Sequence, residues 1–148
     1  MQLSTKHIGE IEYQVENIIH FNSGIPGFET FTKYIIVLSG NDELPFHYLQ
    51  SIEDANIAFV ITNPFIFAPE YDFELPEEYA EKIKITEPTD LSIYAIVNIP
   101  QNVSETTMNL AAPILVNNLA NLGCQAILPN RDDIKYKIFK DVSNKGGE

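Results

Sequence analysis

The sequence predicts an all-β fold: a small antiparallel barrel-like domain with one or two short helices. Three observations carry this. Short runs rich in Val, Ile, Tyr and Phe recur along the chain, the residue types that suit a pleated, half-buried surface. The breaks between them hold Gly, Pro, Asn and Asp, the residues of tight turns. The segment "GEIEYQV" alternates, with Ile11, Tyr13 and Val15 on one face and Glu10, Glu12 and Gln14 on the other, which is the period of a strand with one wet side. Closing so many apolar strands into a barrel removes edges that would otherwise pair with other chains.

Taken in order, the strands are "GEIEYQV", then "NIIHF" after a short break, then "KYIIVL" over Lys33–Leu38. "FHYLQS", "IAFVIT", "LSIYAIVNI", "APILVNN" and "CQAIL" follow. Turns are expected at Gly24-Ile25-Pro26-Gly27, at Ser39-Gly40-Asn41-Asp42 and at Glu87-Pro88-Thr89-Asp90. One helix is expected, in "LPEEYAEKIK". Pro76 suits its first turn, and Glu77 and Glu78 face the free N–H groups and positive dipole end. Lys82 and Lys84 fall where cations are favoured, and Tyr79, Ala80 and Ile83 make a small apolar face. No linker or repeat divides the chain, so residues 1–142 read as one domain and 143–148, "SNKGGE", as a flexible tail.

A chain of 148 residues buries roughly 68–70% of its unfolded surface, so it needs neither disulfide nor metal to hold its fold. Cys124 is the sole cysteine and cannot form an internal bridge. The N-terminus "MQLSTKHIGE" lacks the pattern of a secretory signal. The longest apolar stretch, Ile57 to Phe67, is too short to span a bilayer and contains Asn63 and Pro64. These features point to the cytoplasm, where the sequon Asn102-Val103-Ser104 is idle. The net charge of −12 repels phosphate backbones. No direct nucleic-acid or membrane partner is expected; the charge serves either solubility or a basic protein partner.

Few residues of the chain carry recognisable chemistry. The nucleophile-elbow pattern Gly-x-Ser-x-Gly is absent, and so are dinucleotide and Walker glycine motifs. No base neighbours Cys124 in sequence. His7, His20 and His47 are isolated and show no metal-ligand spacing. The acidic cluster Glu70, Asp72, Glu74, Glu77, Glu78 and Glu81 lacks the glycine and spacing of a calcium loop; it reads as a solvated face or as a docking surface for a basic partner. In "FNSGIPGFET", Gly24 and Gly27 permit positive φ, Pro26-Gly27 suits the centre of a type II turn, and Phe28 is an apolar anchor. That segment shapes a corner and moves no proton. No enzyme activity, cofactor or metal is expected. A small-molecule-binding β-barrel is the alternative; it requires an interior too wide for side chains to fill.

The blocks "FNSGIPGFETFTKYIIVL", "LPFHYLQSIEDANIAFVITNP", "YDFELPEEY" and "TMNLAAPILVNNLANLGCQAIL" resemble the flagellar assembly factor FliW family, over about residues 1–140. The resemblance implies a barrel-like fold and no catalysis. It implies two alternative protein partners: flagellin and the translational regulator CsrA. On that reading the chain is a cytoplasmic monomer that binds flagellin and, when free of it, antagonises CsrA, which couples flagellin synthesis to export. For a helical flagellin segment, apolar anchors are expected at Phe46, Tyr48, Leu49, Phe65 and Phe67, each of which reads equally as a core residue. Asn109 and Asn117 are candidates to bond a partner's backbone or the barrel's own turns.

Overall fold

The computed structural model describes residues 1–6, 8–38 and 45–139. His7, the expected turn at 39–42 and the expected tail at 143–148 lie outside the described residues.

The chain enters through a two-stranded antiparallel hairpin, β1 (Gln2–Thr5) and β2 (Gly9–Glu12). The strand expected over "GEIEYQV" stops at Glu12. The Tyr13 N–H bonds the Met1 carbonyl, after which Val15–Asn17 form a 3-10 turn closed by reciprocal Gln14 and Asn17 contacts. Val15, expected to face inward, is therefore 62% exposed.

The large sheet is built from β3 (Ile19–His20), β4 (Lys33–Leu38), β5 (Phe46–Ser51), β6 (Ala58–Thr62), β7 (Leu91–Asn98), β8 (Thr107–Met108), β9 (Ile114–Asn117), β10 (Leu122–Gln125) and β11 (Tyr136–Lys137). Its order is β11-β8-β7-β6-β5-β4-β3-β10-β9, and β9 pairs back onto β7. That last pairing closes β3, β4, β5, β6, β7, β9 and β10 into a ring, with β8 and β11 appended beyond one end of β7. All pairs are antiparallel except β3 with β10, which meet in parallel at His20 and Leu122. Gly123 sits in β10 because a Cβ there would lie 2.6 Å from the Phe21 ring.

Side chains fill the ring. Ile19, Phe21, Tyr34, Leu49, Ile61, Ile114 and Val116 are buried together, with Phe59, Tyr94 and Ile96 packed against them. Phe21 meets Tyr34 edge-on, with centroids 5.1 Å apart, the favoured aromatic geometry. This packing runs against the wide, unfilled interior that the small-molecule barrel required.

Two short helices lie outside the ring. α1 spans Pro64–Phe67; proline takes its first position and the Asn63 side chain accepts the Phe65 N–H at 3.0 Å. α2 spans Glu77–Lys82. Pro76 precedes its first residue rather than entering the first turn, and Lys84 lies beyond its end at φ 60°. Between and after the helices the chain forms a strap over the outer face of the barrel. Ala68, Tyr71, Phe67 and Phe73 cover Val97, Met108 and Phe46. Ile83, Leu75, Tyr79 and Ile85 cover Leu115, Cys124 and Leu122. This strap has a dry side and a wet side, and the wet side carries the acidic cluster.

Candidate functional site

The strap places its carboxylates by alternation. Tyr71, Phe73 and Leu75 turn toward the barrel while Glu70, Asp72 and Glu74 turn out. α2 then continues the same outward face with Glu77, Glu78 and Glu81. All six are exposed, and none makes an ion pair among the described residues, where the only such pair is Arg131 with Asp133. The cations nearest in sequence are Lys82, whose ammonium lies 5.6 Å from the Tyr79 ring centroid, and Lys84 just past the helix. The result is a segment of exposed carboxylates without an ion pair among the described residues.

Two devices hold that support. The first is Arg131, the sole arginine of the chain. Its Nη1 donates to the Asp72 carbonyl at 3.0 Å. Its Nε and Nη2 donate to Asp133 at 3.1 and 2.5 Å, the bidentate geometry that suits a planar guanidinium. The same guanidinium lies 4.7 Å from the Tyr71 ring centroid, and Tyr71 in turn donates to the Leu110 carbonyl at 2.7 Å. Burial pushes the Tyr71 hydroxyl up to about 12. The hydrogen bonds from Arg131 hold the Asp133 carboxyl below its ordinary value. A group lowered in the folded state adds stability above its unfolded pKa of about 4 and loses it as pH falls through the folded value. Asp133→Asn is therefore expected to flatten the loss of stability on acidification below about pH 4, measured as urea midpoints against pH. An unchanged acid slope would show that Asp133 plays no part in it.

The second device is Asn117. Its Nδ2 donates to the Ile83 and Lys84 carbonyls at 2.7 and 3.0 Å, and its Oδ1 accepts from Leu119 and Ala120 at 2.9 and 3.1 Å. It thereby joins the C-terminal end of α2 to the β9–β10 turn. Asn109 does a similar task locally, accepting from the Ala111 and Ala112 N–H groups. The Asn109 acceptor and the whole Asn117 amide are thus engaged by the protein's own backbone. Asn117, buried to 3% exposure, is not available to a partner.

The expected apolar anchors separate in the same way. Leu49 is fully buried inside the ring, because its register with Ile36 and Phe59 points it inward. Phe46 is on the outer face of β5, but α1 lies over it, with the Phe67 ring centroid 6.1 Å away. Neither is a surface anchor. Tyr48 and Phe67 are half-buried, and Phe65 is exposed. Of the histidines, His20 and His47 are half-buried on separate strands, and no group of His, Cys, Asp and Glu able to hold a metal occurs among the described residues. Burial pushes the Cys124 thiol up to about 11, while Lys82 pulls it back, so it is protonated at neutral pH.

The turn segment forms as a corner. The Phe28 N–H bonds the Ile25 carbonyl at 2.6 Å, with Pro26 and Gly27 between them and Gly27 at φ 89°. Phe28 packs edge-on against Phe59, at 5.2 Å between centroids, and Ile25 is buried with the ring interior.

Beside the strap runs an open groove of about 540 Å³, lined by residues 72–77 on one side and 128–131 on the other. Sequence reasoning missed this groove and the Arg131 latch. A lone arginine followed by Asp132-Asp133 was the available signal, but nothing in that spacing locates Tyr71 or Asp72.

Fold and surface together define a filled β-barrel that presents an acidic strap on a rigid outer face. Comparison with known proteins gives the family. The FliW protein family model matches residues 2–139. A flagellar assembly factor FliW from Alkaliphilus metalliredigens (strain QYMF) is 49% identical over 143 residues, covering 96% of this chain and 88% of that one. Another from Thermoanaerobacter pseudethanolicus is 41% identical over 145 residues, covering 97% of each. A crystal structure of the flagellar assembly factor FliW matches with TM-score 0.88 at 33% identity, covering 95% of this chain and 99% of that one. The chain belongs to the FliW family.

Proposed function

We propose that this chain is a cytoplasmic, non-enzymatic flagellar assembly factor. It binds flagellin and, when free of flagellin, binds and antagonises the translational regulator CsrA, so that flagellin synthesis follows export. Its relatives carry the name of flagellar assembly factor, and the family resemblance supplies the two partners. The observation that carries the reading is the strap: six exposed carboxylates with no ion pair among the described residues. A regulator that grips RNA presents cations to phosphates. An acidic protein docked beside those cations raises the cost of bringing RNA near, without filling the RNA site. No helix among the described residues is long and apolar enough to cross a membrane.

The test uses purified flagellin and CsrA. The chain is expected to co-elute with each on size exclusion and to lower the RNA affinity of CsrA. A variant with Glu70, Asp72, Glu74, Glu77, Glu78 and Glu81 all changed to amides should associate with CsrA about tenfold more slowly at low salt. That difference should close as salt shortens the screening length toward about 3 Å at 1 M. Co-elution with neither protein would overturn the reading. Equal antagonism by the amide variant at every salt concentration would leave the carboxylates with only a solubility role.

A further inference from the structure

We infer that the groove between residues 72–77 and 128–131 receives an extended, cationic peptide segment, which adds to the strap as a strand. Three observations carry this. The strap already has strand-like alternation over residues 71–75, with Tyr71, Phe73 and Leu75 inward and Asp72 and Glu74 outward. Yet it pairs with no strand among the described residues. The N–H groups of Asp72, Phe73, Glu74 and Leu75 make no hydrogen bond with any described residue, nor do the carbonyls of Phe73, Glu74 and Leu75; only the Asp72 carbonyl is engaged, by Arg131. A row of unused backbone donors and acceptors beside an open groove is the template on which an extended peptide adds.

The third observation selects the occupant. The groove is lined by Phe73, Leu75 and Leu128, which suit small apolar side chains, and by Asp72, Glu74 and Glu77. Its one cation among the described residues, Arg131, is already paired with Asp133. An incoming strand that alternates Lys or Arg with small apolar residues matches both sets at the strand period. The latch from Arg131 to the Asp72 carbonyl fixes the strap before the peptide arrives, which lowers the ordering cost of binding. This inference names a mode and a peptide chemistry, and it stands whether or not flagellin and CsrA are the partners.

The test is fluorescence anisotropy at low salt, with the full chain and a fluorescein-labelled octapeptide of alternating lysine and valine. Saturable binding is expected. The same peptide N-methylated at its valines keeps its charge but loses backbone donors, and should bind about tenfold or more weakly. Asp72→Lys with Glu74→Lys should weaken the parent peptide about tenfold, whereas the same reversal at the exposed Glu10 and Glu12 of β2 should change it less than about twofold. Equal binding by the N-methylated peptide would overturn strand addition, and that arm uses the unaltered protein, so it holds even where a variant fails to fold. Equal binding by the Asp72/Glu74 variant, or no saturable binding of the parent peptide, would also overturn the inference.

Discussion

Asn117→Ala is expected to destabilise the protein by about 3 kcal/mol, because four hydrogen bonds to buried or half-buried backbone end with that side chain. The donors to Ile83 and Lys84 and the acceptor for Leu119 and Ala120 belong to one amide. Ile83 is 1% exposed, so water does not easily take the vacated place. A net contribution of about 1 kcal/mol for each bond, less what water recovers at the exposed Lys84, Leu119 and Ala120, gives the figure. For a chain of this length that is a fall of roughly 6–12 °C in midpoint. The damage should be directional. α2 has no strong propensity at six residues and depends on packing, so it loosens first and carries Glu77, Glu78 and Glu81 with it. Asn117→Asp keeps the acceptor but sets a carboxylate against two carbonyls, and at neutral pH it should be at least as damaging as alanine. Thermal unfolding of both variants gives the check. A loss under about 1 kcal/mol for Asn117→Ala would show that solvent replaces the amide.

The same residue shows what could be read from the sequence. "APILVNN" marks a strand, and β9 ends at Asn117 as that pattern suggests. Which of two neighbouring asparagines turns inward, and that it reaches a helix more than thirty residues earlier, depends on a long-range contact that no local pattern encodes. β4 was legible to the residue because its central residues are covered on both faces, Tyr34 and Ile35 both being buried, so it reads as an apolar run; β5, "FHYLQS", was legible from its aromatic and apolar residues despite His47, Gln50 and Ser51. β1, "QLST", was illegible for the opposite reason: of its four residues only Thr5 is buried, so it carries no apolar pattern. β8 and β11 are two residues each and too short to show a period.

The site divides along similar lines. The acidic cluster was visible as composition, and its exposure follows from the cost of burying charge. Phe46 and Leu49 stayed open between anchor and core because an apolar residue on a strand does not announce which side is covered. Leu49 is inward by register, and Phe46 is outward but roofed by α1, a helix that the sequence disguises as the tail of an apolar run. The strap is the instructive case. Its alternation through Tyr71, Phe73 and Leu75 is a strand signal without a strand partner, a conflict between local pattern and tertiary pairing of the kind that marks functional segments.

Gly24→Ala is expected to cost about 3 kcal/mol and Gly27→Ala only about 1 kcal/mol, although both glycines stand at positive φ in the same corner. The conformational term is common to them: Gly24 at φ 71° and Gly27 at φ 89° each place an alanine in a region costing roughly 1–2 kcal/mol. The steric term is not. A Cβ on Gly27 meets nothing within 4 Å, whereas one on Gly24 lies 2.5 Å from the Glu29 Cα and 2.8 Å from its carbonyl oxygen. Those are backbone atoms and cannot swing aside as a side chain would. Relief therefore requires the corner itself to open. The corner is what seats Ile25 in the ring interior and Phe28 on Phe59, so opening it unseats apolar surface at the mouth of the barrel and adds to the cost. Urea unfolding of the two single variants separates the terms, with the difference between them reading the clash together with the unseating it causes. Equal losses would mean that the Glu29 backbone moves freely, and that the corner is a flexible connection with no part in closing the barrel.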